Sequence, residues 1–242
     1  KILIGNCSGF YGDRLSAAKD MVDGGPIDVL TGDYLAELTM TILYNQRMKR
    51  GEDQGYVGTF LKQFSEVAVS CQEKNIKIVT NAGGLNPSSM ANKIEEIVEE
   101  LNLNLKVAYI DGDDLIPRFA ELEAENEPLT NMEKGISIHD YEKKPLTANA
   151  YFGAWGIKEA LDAGVVIGPA AWKFNWSIDN FDALAGALAA GHIIECGAQA
   201  TGGNYSFFKE VPSFSNMGYP IAEIYEDGSF TITKHPGTGG LV

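Results

Sequence analysis

Short apolar runs that each open into a polar, glycine-rich stretch recur through the first half of the chain. Ile2-Leu3-Ile4 leads into Gly5-Asn6-Cys7-Ser8-Gly9, and Ile27-Asp28-Val29-Leu30 into Thr31-Gly32-Asp33-Tyr34. Ile76-Lys77-Ile78-Val79 leads into Thr80-Asn81-Ala82-Gly83-Gly84-Leu85-Asn86-Pro87, and the run from Leu105 to Ile110 into Asp111-Gly112-Asp113-Asp114. Each run has strand length and β-branched content, and helix-like sequence separates them. That alternation predicts an α/β fold: a mostly parallel sheet with helices on both faces, whose strand C-termini open toward one edge. Ligands of such sheets bind at that edge.

The helical segments can be placed from their apolar spacing. Asp13 to Val22 carries Leu15, Ala18 and Val22 at helical spacing and is stopped by Gly24-Gly25. A second helix, capped by Asp33, is expected to bury Leu35, Leu38, Ile42 and Leu43, and ends on Arg47, Lys49 and Arg50, which suit the C-terminal dipole. A third runs from about Tyr56 to Glu73 on Phe60, Phe64, Val67 and Cys71. The fourth has Asn86 as N-cap and Pro87 at its first position, then Met90, Ile94, Ile97, Val98 and Leu101 opposite glutamates.

Residues 120–144 break the rhythm with six glutamates, and read as a solvated flap or a hairpin near Ile136-Ser137-Ile138. A helix follows near Trp155 to Ala163, then a strand at Val165-Val166-Ile167 and a helix over about Asn180 to Ala190. Ile221 to Thr233 alternates around Asp227-Gly228, which predicts a C-terminal β-hairpin region. No internal repeat or linker is evident, so the 242 residues read as a single α/β domain. Lys1 is not an initiator residue, so the expectation is that sequence precedes it.

Bulk properties narrow the function classes. The composition is that of an ordinary globular protein, with 45% hydrophobic and 21% charged residues. A formal charge of -14 argues against a nucleic-acid backbone or an anionic membrane surface as the main partner. It suits a cytoplasmic protein and leaves room for a small anion held by backbone N–H groups. Three dispersed cysteines (Cys7, Cys71, Cys196) without a CxxC pattern point away from a disulfide framework or a zinc site. No apolar run approaches the roughly 20 residues that span a bilayer.

Candidate chemistry gathers after the strands. GNCSGFYG matches neither GxGxxG nor GxxxxGK[ST], so no dinucleotide or P-loop fingerprint is present and no cofactor is evident. Backbone donors at Gly5, Asn6, Ser8 and Gly9, and at Asn81, Gly83, Gly84 and Asn86 before a helix N-terminus, form a candidate anion-binding edge. Cys7 is either a nucleophile or a small buried hydrophobe. Asp33 is a site residue or a helix cap. Asp111, Asp113 and Asp114 form a divalent-metal candidate or an ordinary turn. Glu195 and Cys196 precede Gln199, Thr201, Gly202 and Asn204 in a dense polar loop, and Lys234 and His235 precede Gly237 and Thr238. Asn149 lies in a further polar segment. Trp155, Trp172 and Trp176 read as core, or as the wall of an apolar ligand site.

Several long stretches carry a resemblance: GNCSGFYGDRLSAAKDMVDGGPIDVLTGDYLAELTM, TNAGGLNP, TANAYFGAWGI, GHIIECGAQATGGNYSFF and GYPIAEIYEDGSFTITKHPGTGG. Together they resemble the acyclic terpene utilisation AtuA family nearly end to end, least across 120–144. The resemblance implies a place in bacterial catabolism that runs through CoA thioesters, with a substrate that need not be a terpenoid. It also implies two departures: a further strand and polar segment between Gly164 and Val165, and a small C-terminal α/β domain beyond Val242. The domain is therefore expected to be incomplete at both places.

The resulting expectation is a catabolic enzyme, or its substrate-binding component, acting on a small carboxylate or an acyl-CoA-type molecule by hydratase, lyase or isomerase chemistry. Asp111, Asp113, Glu195 or His235 would supply the acid–base groups, Lys234 would stabilise developing negative charge, and Cys7 is a further candidate. The alternative is a non-catalytic obligate subunit or ligand-binding partner, with a homo-oligomer or a partner subunit as its assembly. A metal-dependent hydrolase on Asp111, Asp113 and Asp114 is the third option.

Overall fold

The computed structural model describes residues 2–125, 129–131, 133–141, 143–151 and 154–165, together with the backbone of strands 167–169, 221–224 and 230–234. Strand β1 (Ile2–Asn6) is followed by α1 (Ala17–Gly24), β2 (Val29–Gly32), α2 (Glu37–Arg50), α3 (Gly58–Lys74), β3 (Lys77–Thr80) and α4 (Pro87–Glu100). Then come α5 (Phe119–Ala124), α6 (Trp155–Asp162), β4 (Ile167–Pro169), β5 (Ile221–Ile224) and β6 (Phe230–Lys234). The sheet order is β4-β3-β2-β1-β5-β6. β1 through β4 are parallel, and β5 and β6 join antiparallel beside β1. The fold is α/β.

Alternation along the strands separates two faces. Leu3, Gly5, Leu30 and Ile78 share the face on which α1, α3 and α4 lie side by side. Gly5 allows α1 a close approach there, since a Cβ would sit 2.7 Å from Met21 Sδ and the Met21 side chain would have to move. Phe60, Phe64, Val67 and Cys71 of α3 and Met90, Ile94 and Val98 of α4 are buried in this layer, as their spacing predicts. Burying four or five such side chains contributes on the order of 10 kcal/mol before chain entropy is charged. The helix expected over about Asn180 to Ala190 and the Asp227-Gly228 turn lie outside the described residues.

Two expectations are corrected. The run from Leu105 to Ile110 is not a sheet strand. The place beside β3 belongs to Ile167–Pro169, whose Pro169 lacks an N–H and suits an edge. Leu103, Leu105 and Val107 alternate because one side of an extended segment rests on the helical layer. α1 begins at Ala17 rather than Asp13, and Leu15 is exposed. α6 closes at Gly164 (φ +80), where Gly164 N donates to Leu161 O and Val165 N to Ala160 O, directly before β4.

α2 differs from the other helices in its course. It starts five residues after β2 ends, and its exit loop returns to the same edge: Val57 N donates to Ala82 O and Leu85 N to Gly55 O, both at 2.8 Å. Gln46 Nε2 donates to Tyr11 Oη at 3.2 Å, tying α2 to the loop after β1. α2 therefore lies across the C-terminal edge of the sheet. Its buried residues are Thr39, Met40 and Leu43, while Leu38 is 71% exposed, contrary to expectation. Asp33 is not its cap. The N-cap position is Ala36, and Asp33 Oδ1 accepts instead from Leu35 N.

Gly84 is where this covering helix comes closest. It has φ +54, and a Cβ would collide with Leu43 Cδ1 and lie 2.8 Å from Gly55 O. Gly84→Ala is expected to lower unfolding stability by roughly 2 kcal/mol, through left-handed strain plus displacement of the 51–57 loop. Urea denaturation checks this, and a loss below about 0.5 kcal/mol would mean that the close approach is easily relaxed.

Candidate functional site

The parallel register brings the ends of β1, β2, β3 and β4 to one edge: Asn6 pairs with Thr31, Thr31 with Val79, Gly32 with Thr80, and Thr80 with Pro169. β6 points the same way, and its last residue, Lys234, pairs with Ile221, which in turn pairs with Gly5. Residues distant in sequence therefore meet at this rim, including Gly5, Asn6, Cys7, Ser8, Gly9, Asp33, Asn81 and the backbone of Lys234.

Asn81 is the hub. It is fully buried. Its Oδ1 accepts from Tyr34 N at 2.8 Å and its Nδ2 donates to Asp33 Oδ1 at 2.5 Å. Because the backbone N–H can only donate, the orientation of the amide is fixed, and its NH2 must face the carboxylate. Asp33 N in turn donates to Ser8 O at 3.0 Å, and Asn6 Nδ2 donates to the same carbonyl at 3.0 Å. The Thr31 hydroxyl lies 3.2 Å from Asn6 Oδ1 and Thr80 Oγ1 donates to Gly32 O at 3.0 Å. Each residue that ends a strand thus also braces its neighbour's loop. Asn6, Gly9 and Asp33 remain half-exposed.

Most donors of the expected anion-binding loops are committed internally. In the Asn81–Asn86 turn, Ala82 N donates to Thr80 Oγ1, Gly84 N to Asn81 O, Leu85 N to Gly55 O and Asn86 N to Gly83 O. Asn86 caps α4 by accepting from Ser89 N, as predicted, and also donates to Glu52 O and Gln54 O. In the first loop, Gly9 N donates to Asp13 Oδ2 at 3.0 Å and Arg14 N to Asp13 Oδ1 at 2.7 Å. The carboxylate of Asp13 occupies the position foreseen for a ligand anion, and burial raises its pKa. An aspartate four residues after the loop glycine was the available sign of this.

Cys7 lies inside the core at 4% exposure, 3.9 Å from Tyr34 Oη, which donates to Gln63 Oε1 at 2.6 Å. Burial pushes its thiol up to about 12 and raises Tyr34 well above its usual value. A thiol in that state is a packing group, and a nucleophile would need the opposite shift. Tyr34 and Gln63 escaped the sequence reading because only the fold joins α3 to the end of β2.

The acidic turn lies elsewhere. Lys77 Nζ at the start of β3 reaches Val165 O, and Lys106 Nζ reaches Ala163 O, so both mark the C-terminal end of α6. Ile110 packs on Gly156 at the other end of that helix. Asp111–Asp114 therefore sits beside the N-terminus of α6. Asp113 Oδ2 accepts from Asn149 Nδ2 at 2.9 Å, Asp114 Oδ1 accepts from Ile116 N at 3.0 Å, and Asp111 is exposed. Among the described residues no group of three His, Cys, Asp or Glu side chains can hold a metal ion. Glu195, Gln199, Thr201, Gly202, Asn204, His235, Gly237 and Thr238 lie outside the described residues.

A model of the acyclic terpene utilisation family protein AtuA matches residues 2–242. The chain belongs to the acyclic terpene utilisation AtuA family. No curated protein and no solved structure matches it. The AtuA match spans both the rim and the segments that follow β4 and β6. Among the described residues no helix is long and apolar enough to cross a membrane.

Two measurements test the rim. Asn81→Ala removes the acceptor of Tyr34 N and one donor to the Asp33 carboxylate and is expected to cost about 2–4 kcal/mol. Asn81→Asp cannot donate to Asp33 and should cost at least as much, read by chemical denaturation. Cys7 and Cys71, both pushed up to about 12 by burial, should resist iodoacetamide at pH 8 until the chain unfolds. Above pH 9 the unfolded thiols lose protons that the folded ones keep, so these groups make stability fall as pH rises from about 9 toward 12. Rapid labelling of Cys7 in the folded protein would contradict its placement.

Proposed function

We propose that this AtuA-family chain is a cytoplasmic catabolic enzyme, or the substrate-binding component of one. Its substrate is a small carboxylate or an acyl-CoA-type molecule, transformed by hydratase, lyase or isomerase chemistry at the strand C-terminal rim. One observation carries the reading: the register sets half-exposed Asn6 and Asp33 and the end of β6 at Lys234 on a single edge. Family membership supports a role connected with acyclic terpene utilisation.

The roles follow from that edge. Asp33, held by Asn81, is a carboxylate suited to taking a proton adjacent to a carbonyl. Lys234 is suited to stabilising the negative charge that then develops on the carbonyl oxygen. His235 follows Lys234 directly, and with Glu195 it is the remaining acid–base candidate. Backbone anion binding is assigned to neither the Asn81–Asn86 turn, most of whose donors are already engaged, nor Gly9, whose N–H is held by Asp13.

The rival reading is a non-catalytic subunit of a catabolic complex. It draws on Tyr151 and Trp155, exposed by 61% and 71% beside the Asp111–Asp114 turn.

A thermal-shift screen against small carboxylic acids and acyl-CoAs tests the proposal. A binder at ten times its dissociation constant adds about 1.4 kcal/mol of stability. Asp33→Asn is expected to keep binding and lose turnover of whichever compound shifts the melting temperature. Absence of any shift across both compound classes, at concentrations to the millimolar range, contradicts the substrate assignment. A shift with full activity in Asp33→Asn contradicts the role given to that carboxylate.

A further inference from the structure

The outward face of α2 is unlike a solvated helix surface. Nine consecutive residues, Leu38 to Gln46, carry no charge in a chain with 21% charged residues. α4 shows the contrast, since its exposed side carries Glu95, Glu96, Glu99 and Glu100. On α2 the buried residues Thr39, Met40 and Leu43 point to the rim, so helical spacing sets Leu38, Thr41, Asn45 and Met48 on the opposite side. Leu38 and Met48 are exposed by 71% and 65%.

The polar side chains between those two apolar ends are each engaged with their own helix. Thr41 Oγ1 donates to Glu37 O at 3.0 Å, and Asn45 Nδ2 donates to Thr41 O at 2.9 Å. Covering this face therefore desolvates no charge, and each of the two side chains already has one donor engaged within its own helix.

We propose that this face is a self-association surface, on which α2 of a second copy of the chain packs antiparallel about a two-fold axis. The charges at its two ends select that partner and direction. Glu37 opens the helix, and Lys49 and Arg50 close it. An antiparallel pair brings the acidic end of each helix to the basic end of the other, and sets Leu38 beside Met48 and the Lys49 stem. A parallel pair would oppose like charges at both ends. A chain of net charge -14 repels a second copy overall, and the uncharged face of α2 with its complementary ends lowers that repulsion locally. Two helices of 14 residues bury less than the roughly 1,200–2,000 Å² of a stable interface, so the dimer depends on concentration.

Sedimentation velocity on the full chain across about 1–500 μM tests this, with the range chosen for a weak interface. The weight-average mass should climb from 26.2 kDa toward twice that value. Leu38→Glu and Met48→Glu, both at exposed positions, should each weaken association by about tenfold or more while circular dichroism and melting temperature stay unchanged. Glu37→Lys alone and Lys49→Glu alone should weaken it, and the two combined in one chain should restore it. Within one helix those residues are about 18 Å apart, beyond the screening length near 8 Å at physiological salt, so rescue can only come from the second copy. A monomer throughout the range, a dimer insensitive to Leu38→Glu, or failure of the combined charge swap to restore association would each overturn the proposal.

Discussion

One buried carboxamide joins the ends of β2 and β3. Asn81 is buried; it accepts from the backbone of Tyr34 in a buried bond and donates to the half-exposed carboxylate of Asp33. In a parallel sheet the loops after neighbouring strands leave the ladder together and lose their pairing partners. Asn81 supplies the missing pair across that gap, and Ser8 O does the same between β1 and β2 by accepting from Asp33 N and Asn6 Nδ2. The position of Asp33, on which the proposed chemistry depends, is a consequence of these bonds.

α2 completes the arrangement. A crossover helix would run back along the sheet, but α2 stays at the rim and seals the β3–α4 turn, with Gly84 permitting the contact and the 51–57 loop satisfying Ala82 O and Leu85 N. Among the described residues the half of the rim beside β3 is thereby closed, and the accessible part lies toward β1, where Asn6, Gly9 and Asp33 are half-exposed and β6 ends. The same helix has one buried side and one uncharged outward side, so a second copy docked on it would stand beside the opening.

Much of the scaffold was legible in the chain. α3 and α4 announce themselves by apolar spacing and by Asn86-Pro87, and β1 to β3 by short β-branched runs, because these signals are local. The Leu105–Ile110 segment misleads for an equally physical reason: one-sided packing of an extended chain on helices produces the same alternation as a half-buried strand. Leu38 misleads because helical spacing names a face without saying which direction the sheet lies. At the site, the residue types at strand ends were foreseeable, but their partners were not. Asp13 filling the anion position of Gly9, Tyr34 reaching Gln63 across α3, and Asn81 turning its amide to Asp33 all join segments that only the tertiary fold brings together.

The amide proton of Tyr34 reports most directly on the central claim. Its donor bond to Asn81 Oδ1 is buried in a segment that would otherwise be an irregular loop. Native-state hydrogen exchange followed by NMR should show this amide exchanging only through global unfolding, with the same denaturant dependence as amides in α3. Exchange at the rate of an open loop, independent of denaturant, would mean that the rim is not fastened by Asn81 and that Asp33 is not held in place for chemistry.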